Sequence, residues 1–152
     1  MSVSEVINKN AILLDLQVSD KAEALDALAQ VLYEDGSVKS KKEFIDDVYF
    51  RESQGKTGIG NGIAIPHGKS NAVTRTCIAV AKLKNPIEWE TIDGKPVEVI
   101  IMFAVAGEDT NNYFVKLLSQ VARMLAKDSF CEKLLAARDK EELFSLFKNY
   151  KI

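Results

Sequence analysis

Apolar residues at helical spacing predict two amphipathic helices in the first third of the chain. Asp20 and Ser40 are each followed three residues later by glutamate, the capping-box arrangement that begins a helix. Apolar positions then recur every three or four residues over residues 22–32 and 44–49. We expect Gly36 to end the first helix, and the second to end just before the cluster of glycines that follows it.

Strand-like patterns dominate the middle of the chain. Short apolar runs predict strands at residues 11–16, 62–66 and 76–83. Residues 97–106, VEVIIMFAVA, are almost entirely apolar and rich in β-branched residues, which is typical of a strand covered on both faces. Turns are expected between these strands at Pro86 and at Asp93-Gly94.

The last third of the chain is predicted to be helical. Apolar residues keep helical spacing from Val115 to Leu125. Candidate caps for the helices of this region are Thr110 or Asn111, Ser129 with Glu132, and Asp139 with Glu142.

The order of these elements indicates an α/β fold. Strand, two helices, three strands and further helices predict a three-layer α/β/α sandwich, a mixed β-sheet with helices on both faces. With 152 residues, 47% of them hydrophobic, the chain is expected to form a single domain, residues 1–152.

Charge and cysteine content limit the classes of function. The net charge of −2 offers no broad basic field for nucleic acid or anionic lipid. Because no signal segment and no apolar run of membrane length stand out, we expect a cytoplasmic protein without direct membrane insertion. Cys77 and Cys131 are far apart in the sequence and are expected to be free thiols.

Several familiar sequence motifs are incomplete or missing in this chain. GKT at residues 55–57 lacks the first Walker A glycine, because Phe50 stands there. GIGNG at residues 58–62 would need a further glycine where Ile63 stands. One histidine and two distant cysteines make a zinc site improbable, and there is neither an EF-hand loop nor a G-x-S-x-G elbow, so no metal or cofactor is expected.

His67, the sole histidine, is the strongest candidate for chemistry. It lies in GNGIAIPHGK, residues 60–69, directly after Pro66 and an apolar segment. Glycine-rich backbone can offer N–H groups to an anion, and neutral imidazole is a nucleophile near neutral pH. A histidine that only packs in the fold is the alternative reading.

The stretch REsqgKTGIGNGIAIPHGK, residues 51–69, resembles the signature of enzyme IIA domains of the fructose/mannitol type, in the bacterial phosphoenolpyruvate-dependent sugar phosphotransferase system (PTS). A weaker resemblance covers most of the chain, including NPIEWETIDGKPVEVIIMFAV. It implies that His67 accepts a phosphoryl group at Nε2 from the carrier protein HPr. The group would then pass to an enzyme IIB component and serve the membrane component IIC in uptake of a fructose-, mannitol- or galactitol-like sugar.

The same resemblance assigns further residues. Arg51 matches the family arginine, and the alternative for this residue is a cation that only stabilises the end of a helix. The glycine-rich loop would cradle phosphate through Gly58, Gly60, Asn61, Gly62 and Gly68. Phe114 stands where family members usually carry a second histidine. The nitrogen-regulatory IIA proteins share the signature, so a regulatory protein whose binding to targets depends on His67 phosphorylation is the alternative function.

Overall fold

A mixed six-stranded sheet forms the middle layer of the computed structural model, which describes residues 3–109 and 111–150. The strands are β1 (Ile7–Leu16), β2 (Gly58–Gly60), β3 (Ile63–Ala64), β4 (His67–Ser70), β5 (Cys77–Ile87) and β6 (Val97–Ala106). Their order is β1-β5-β6-β3-β2, and β4 also pairs with β6. β6 runs antiparallel to β5 and parallel to β3 and β4, while β1 and β5 are parallel.

Helices cover both faces of this sheet. They are α1 (Val3–Val6), α2 (Lys21–Glu34), α3 (Lys41–Gln54), α4 (Asn111–Leu125), α5 (Asp128–Ala136) and α6 (Lys140–Lys148). Side chains of α2 and α3 form one hydrophobic cluster with the sheet, and those of α1, α4, α5 and α6 form the other. The predicted three-layer α/β/α sandwich with a mixed sheet is therefore confirmed.

The central strand β6 explains why two layers of helices can pack. Nine of its ten residues are buried, and Glu98 is the exposed one. Alternate side chains enter opposite clusters, with Ile100 on the α2/α3 side and Ile101 on the α4–α6 side. The apolar run predicted this strand with the bounds that the structure shows.

The strand predicted over residues 62–66 is the main difference. Only Ile63–Ala64 pairs there, and the shorter strands β2 and β4 lie on either side of it along the chain. His67 is therefore the first residue of a strand, where the sequence had suggested a position just after one. Backbone bonding accounts for the break: the Ile65 N–H turns to the Thr57 carbonyl, 2.9 Å away.

Three of the predicted helix caps are present and one is wrong. The side chains of Asp20, Ser40 and Asp139 accept the backbone N–H three residues later. Ser129 is not a cap, because α5 already begins at Asp128, with the Lys127 carbonyl accepting the first helical N–H groups. The predicted cap at Thr110 or Asn111 lies outside the described residues and side chains.

Gly68 allows α3 to approach β4 closely. A Cβ atom at this position would lie 2.8 Å from Val48 Cγ2 and 3.1 Å from the Val48 backbone nitrogen, with the Phe44 ring at 3.2 Å. Both α3 residues are fully buried, so neither has room to move. The glycine after His67 thus sets the distance between the helix and the strand that carries the imidazole.

We expect Gly68→Ala to lower the free energy of unfolding by about 1–3 kcal/mol, the usual cost of forcing a methyl group into a packed core. Urea unfolding monitored by circular dichroism measures it. Gly55→Ala is the matched control, because a Cβ there meets only Arg51 Nη1 at 3.9 Å. If both variants unfold at the same urea concentration as the parent, the close approach at Gly68 is unimportant for stability.

Candidate functional site

The imidazole of His67 lies at the start of β4, at the edge of the α4 side of the sheet. Its backbone is paired with Phe103 of β6, whose N–H donates to the Pro66 carbonyl at 3.0 Å. The side chain is half-buried. Its Nδ1 atom is buried, so Nε2 is the ring nitrogen that solvent reaches. A reacting partner would therefore meet Nε2.

Burial and a neighbouring cation keep this imidazole neutral. Desolvation lowers the pKa of His67 most, and the positive charge of Arg51 lowers it further. The backbone of Ile65 and the carboxylate of Glu52 act in the opposite direction without reversing the shift. At neutral pH the ring is therefore unprotonated, and one ring nitrogen carries a free lone pair.

Arg51 lies in the last turn of α3, near the histidine. Its Nη1 donates to the Gly55 carbonyl at 3.0 Å, which folds the side chain over the first residues of the glycine-rich loop. Its charge acts on the pKa of His67, so the two predicted residues are close enough to interact electrostatically. The guanidinium carries further N–H groups of the kind that bind an oxyanion through charge-assisted hydrogen bonds.

The glycine-rich loop, residues 55–62, is held to the connection between β5 and β6. The Gly58 N–H donates to the Glu90 carbonyl at 3.2 Å, and the Gly58 carbonyl accepts from Ile92 at 3.0 Å. A Cβ at Gly58 would lie 2.3 Å from the Thr91 methyl group. The N–H of Gly58 is thus committed to the fold and is not a free donor for phosphate.

Asn61 occupies a turn within this loop. It has a positive φ of 56°, between Gly60 and Gly62, whose φ angles are also positive. Its side chain is exposed, and its N–H donates to the Asp93 carboxylate at 3.1 Å. The structure therefore engages the Asn61 backbone in a turn and gives it no contact with His67.

Phe114 of α4 packs directly on the histidine. The two ring centroids are 4.9 Å apart with the planes tilted by 44°, and Phe103 meets the edge of Phe114 at 5.7 Å. The side chain at the position of the missing family histidine is therefore a neighbour of His67. It supplies an apolar wall and no hydrogen-bond donor.

Sequence reasoning missed a buried polar network beneath the loop. Glu52 Oε1 accepts from the Thr57 hydroxyl at 3.0 Å and forms an ion pair with Lys21 Nζ at 2.6 Å. The Thr57 oxygen accepts from Trp89 Nε1, also at 3.0 Å. Trp89 is buried in the core, and its N–H serves this network. The one sequence signal for this network was the glutamate next to Arg51. No sequence pattern connects Glu52 with Lys21, Thr57 or Trp89.

Neither a metal-binding group nor a membrane-spanning helix is found in the described ranges. No three His, Cys, Asp or Glu side chains there come together as they would around a metal ion. The helices within residues 3–109 and 111–150 are all too short or too polar to cross a bilayer. Both cysteines are free and buried.

Comparison with known proteins identifies related chains. Residues 5–150 match the family model described as phosphoenolpyruvate-dependent sugar phosphotransferase system, EIIA 2. The chain is 33% identical to the 2-O-alpha-mannosyl-D-glycerate-specific EIIABC component of Escherichia coli K12, over 95% of this chain and 22% of the relative. It is also 33% identical to the nitrogen regulatory protein of Klebsiella oxytoca, over 96% of this chain and 90% of that protein.

A solved structure agrees with these matches. The nitrogen regulatory protein IIA-Ntr of Neisseria meningitidis superposes with a TM-score of 0.88 at 28% identity, covering 95% of this chain and 98% of that one. The chain thus spans under a quarter of the length of the sugar-specific EIIABC relative and nearly all of the nitrogen regulatory proteins.

Proposed function

Because the chain belongs to the EIIA 2 family of the phosphoenolpyruvate-dependent sugar phosphotransferase system, we propose that it is a cytoplasmic phosphocarrier that holds a phosphoryl group on Nε2 of His67. The protonation state and the surroundings of the imidazole support this proposal most directly. It is neutral and half-buried, its Nδ1 faces the protein, and Arg51 stands beside it. A nucleophile and a cation suited to phosphate are thereby combined in one site.

The transfer needs no other group from this chain. The Nε2 lone pair attacks the phosphorus of a phosphohistidine on HPr, and the donor nitrogen leaves with the bonding electron pair. Arg51 stabilises the charge on the three transferring oxygens. The same steps in reverse deliver the phosphoryl group to a cysteine of an enzyme IIB component, which serves the membrane component IIC.

Exposed apolar side chains beside the site support protein partners. Phe50 is 67% exposed and Val115 is 57% exposed. They adjoin Arg51 and Phe114 in the sequence, Phe50 on α3 and Val115 on α4. Large apolar side chains exposed around a reactive group are typical of a docking surface for another protein.

The test is phosphorylation of the purified chain with phosphoenolpyruvate, enzyme I and HPr, followed by intact mass. We expect a single added phosphoryl group that requires all three components. The modification should be lost in acid and survive alkali, as a phosphoramidate does. No mass increase, or an increase without HPr, would contradict the proposal.

A regulatory role is the second candidate, and the match to nitrogen regulatory proteins along nearly their full length favours it. In that case the binding of a target protein would depend on the phosphorylation of His67. The two roles separate in one further assay, in which the phosphorylated chain is mixed with enzyme IIB components. Rapid loss of the phosphoryl group to a IIB cysteine supports transport of a fructose-, mannitol- or galactitol-like sugar, whereas retention supports regulation.

Phe114→His should accelerate phosphoryl uptake several-fold. The parent ring lies against His67 at 4.9 Å between centroids and cannot donate a hydrogen bond to phosphate. An imidazole there can donate one, or add a positive charge when protonated. Quenched-flow transfer from phosphorylated HPr measures the rate.

Phe114→Leu is the control for Phe114→His, because it keeps an apolar wall without adding a donor, and it should react at nearly the parent rate. If Phe114→His slows the uptake, Phe114 acts through packing or docking, and its alignment with the family histidine has no catalytic meaning.

A further inference from the structure

The backbone that leads into His67 is held from two sides. The Ile65 N–H donates to the Thr57 carbonyl at 2.9 Å, and the Pro66 carbonyl accepts from the Phe103 N–H at 3.0 Å. The proline ring fixes φ at Pro66, which removes one of the remaining rotations. The first bond comes from the glycine-rich loop and the second from the central strand β6. The place at which His67 enters β4 therefore depends on both.

Thr57 lies in a loop, so its carbonyl stays in place only if its side chain is anchored. The residue is 2% exposed. Its hydroxyl oxygen accepts from Trp89 Nε1 at 3.0 Å, and the hydroxyl donates to Glu52 Oε1 at 3.0 Å. An indole N–H can only donate and a carboxylate can only accept. The single hydroxyl hydrogen therefore points to Glu52, which fixes the Thr57 side chain in one orientation.

The anchors of Thr57 come from three separate parts of the fold. Glu52 lies in α3, Trp89 lies in the connection between β5 and β6, and Lys21 at the start of α2 forms an ion pair with Glu52 at 2.6 Å. The Glu52 side chain is 5% exposed and Trp89 is 7% exposed. Hydrogen bonds in such a buried network are costly to break. Thr57 thus joins the backbone before His67 to the packed α2/α3 side of the sheet.

We propose that Thr57 is a positioning residue for His67: its buried hydroxyl fixes the loop whose carbonyl holds the Ile65 N–H, and this keeps the imidazole in place against Phe114. The effect on phosphoryl transfer rests on the proposed function. Transfer requires the Nε2 lone pair to lie in line with the bond that breaks at phosphorus, so the rate depends on where the ring is held. Thr57 acts through the backbone and is not itself a catalytic residue.

The test uses Thr57→Val, which removes the hydroxyl and keeps a branched side chain of similar size. Because His67 is the sole histidine, its carbon-bound ring protons are readily assigned in NMR spectra. Their nuclear Overhauser effects to Phe114, whose ring centroid lies 4.9 Å away, report the position of the imidazole. In Thr57→Val we expect these effects to weaken and the His67 signals to shift.

Phosphoryl uptake by Thr57→Val should be slower by about tenfold at saturating phosphorylated HPr, because a displacement of about 1 Å can cost about a hundredfold in rate. The KM for phosphorylated HPr should stay at the parent value, since Thr57 is buried and is not part of the surface that a partner meets. Quenched-flow measurements over a range of HPr concentrations separate the two quantities.

Two companion variants separate position from stability. Thr57→Ser keeps the hydroxyl and should retain the parent nuclear Overhauser effects and the parent uptake. Leu143→Ala removes a fully buried side chain of α6, which packs against the edge strand β1. Leu143→Ala should unfold at a lower urea concentration than the parent and leave both site readouts unchanged.

Parent-like nuclear Overhauser effects and uptake in Thr57→Val would overturn the proposal. Equal losses in Thr57→Ser would overturn it as well, because packing of the methyl group would be the cause, and losses in Leu143→Ala would attribute the effect to stability. If Thr57→Val does not fold, Trp89→Phe takes its place. It removes one of the two bonds to the hydroxyl and keeps an aromatic ring, so unchanged His67 signals there would contradict the proposal.

The NMR readout needs no phosphorylation, which keeps this test separate from that of the proposed function. If the parent accepts no phosphoryl group, the proposed function fails. The nuclear Overhauser effects between His67 and Phe114 in Thr57→Val still decide whether Thr57 holds the imidazole in place.

Discussion

His67→Ala should abolish phosphorylation of this chain. No other histidine exists in the sequence to accept the group, and the serine, threonine and cysteine side chains are poor acceptors for a phosphohistidine donor without an activating base. The expected result in the HPr-dependent assay is a mass equal to that of the untreated variant at all times, where the parent gains one phosphoryl group.

The His67→Ala variant must be shown to fold. The side chain is half-buried, and its loss removes chiefly the contact with Phe114. We expect the free energy of unfolding to fall by about 1 kcal/mol, with an unchanged far-ultraviolet circular dichroism spectrum. A well-folded His67→Ala protein that is labelled as fast as the parent would disprove the role of His67.

Local patterns predicted the parts of the fold that depend on neighbours in sequence. The run over β6 indicated a strand buried on both faces, and its successive side chains do enter opposite clusters. The caps Asp20, Ser40 and Asp139 were readable because each cap side chain and the backbone N–H that donates to it lie within four residues. Ser129 has the same pattern but lies one residue inside the helix, since capping-box spacing does not fix which residue starts it.

The sequence patterns missed parts of strands that depend on pairing between residues far apart in the sequence. Strand β1 begins at Ile7, earlier than the apolar run at residues 11–16, because Ile7 pairs with Ile78 across an irregularity in the register. The intervening polar residues hide this part of the strand. Strand β5 likewise continues through Pro86 to Ile87, which pairs with Val97 after a second irregularity.

The candidate site likewise has a part that the sequence predicts and a part that only the tertiary structure brings together. Arg51 and His67 are predictable because they belong to one continuous stretch of sequence with a recognisable spacing. In the structure the charge of Arg51 lowers the pKa of His67. The network of Glu52 with Lys21, Thr57 and Trp89 draws on four separate segments, so only tertiary structure brings it together. The loop N–H groups were expected to face phosphate, but that of Gly58 is used to hold the loop in place.

Arg51→Lys should slow phosphoryl uptake by about tenfold or more, because lysine keeps the charge but loses the planar fork that matches phosphate oxygens. Arg51→Ala should be slower still. The two substitutions also differ in their pH dependence. The charge of Arg51 lowers the pKa of His67, so Arg51→Ala raises that pKa and shifts the acid limb of the rate profile to higher pH. Arg51→Lys should leave the acid limb nearly where the parent has it.

The control for Arg51 is Arg123, which also lies in the last turn of a helix. A cation at a helix C-terminus stabilises the helix by a few tenths of a kcal/mol, and Arg123→Lys and Arg123→Ala lose this alone. Both should transfer at the parent rate. Transfer from phosphorylated HPr, measured by quenched flow between pH 5 and pH 9, decides the outcome. If Arg51→Lys and Arg51→Ala transfer at the parent rate, Arg51 only stabilises the end of its helix. If the Arg123 variants lose rate as the Arg51 variants do, the effect comes from folding.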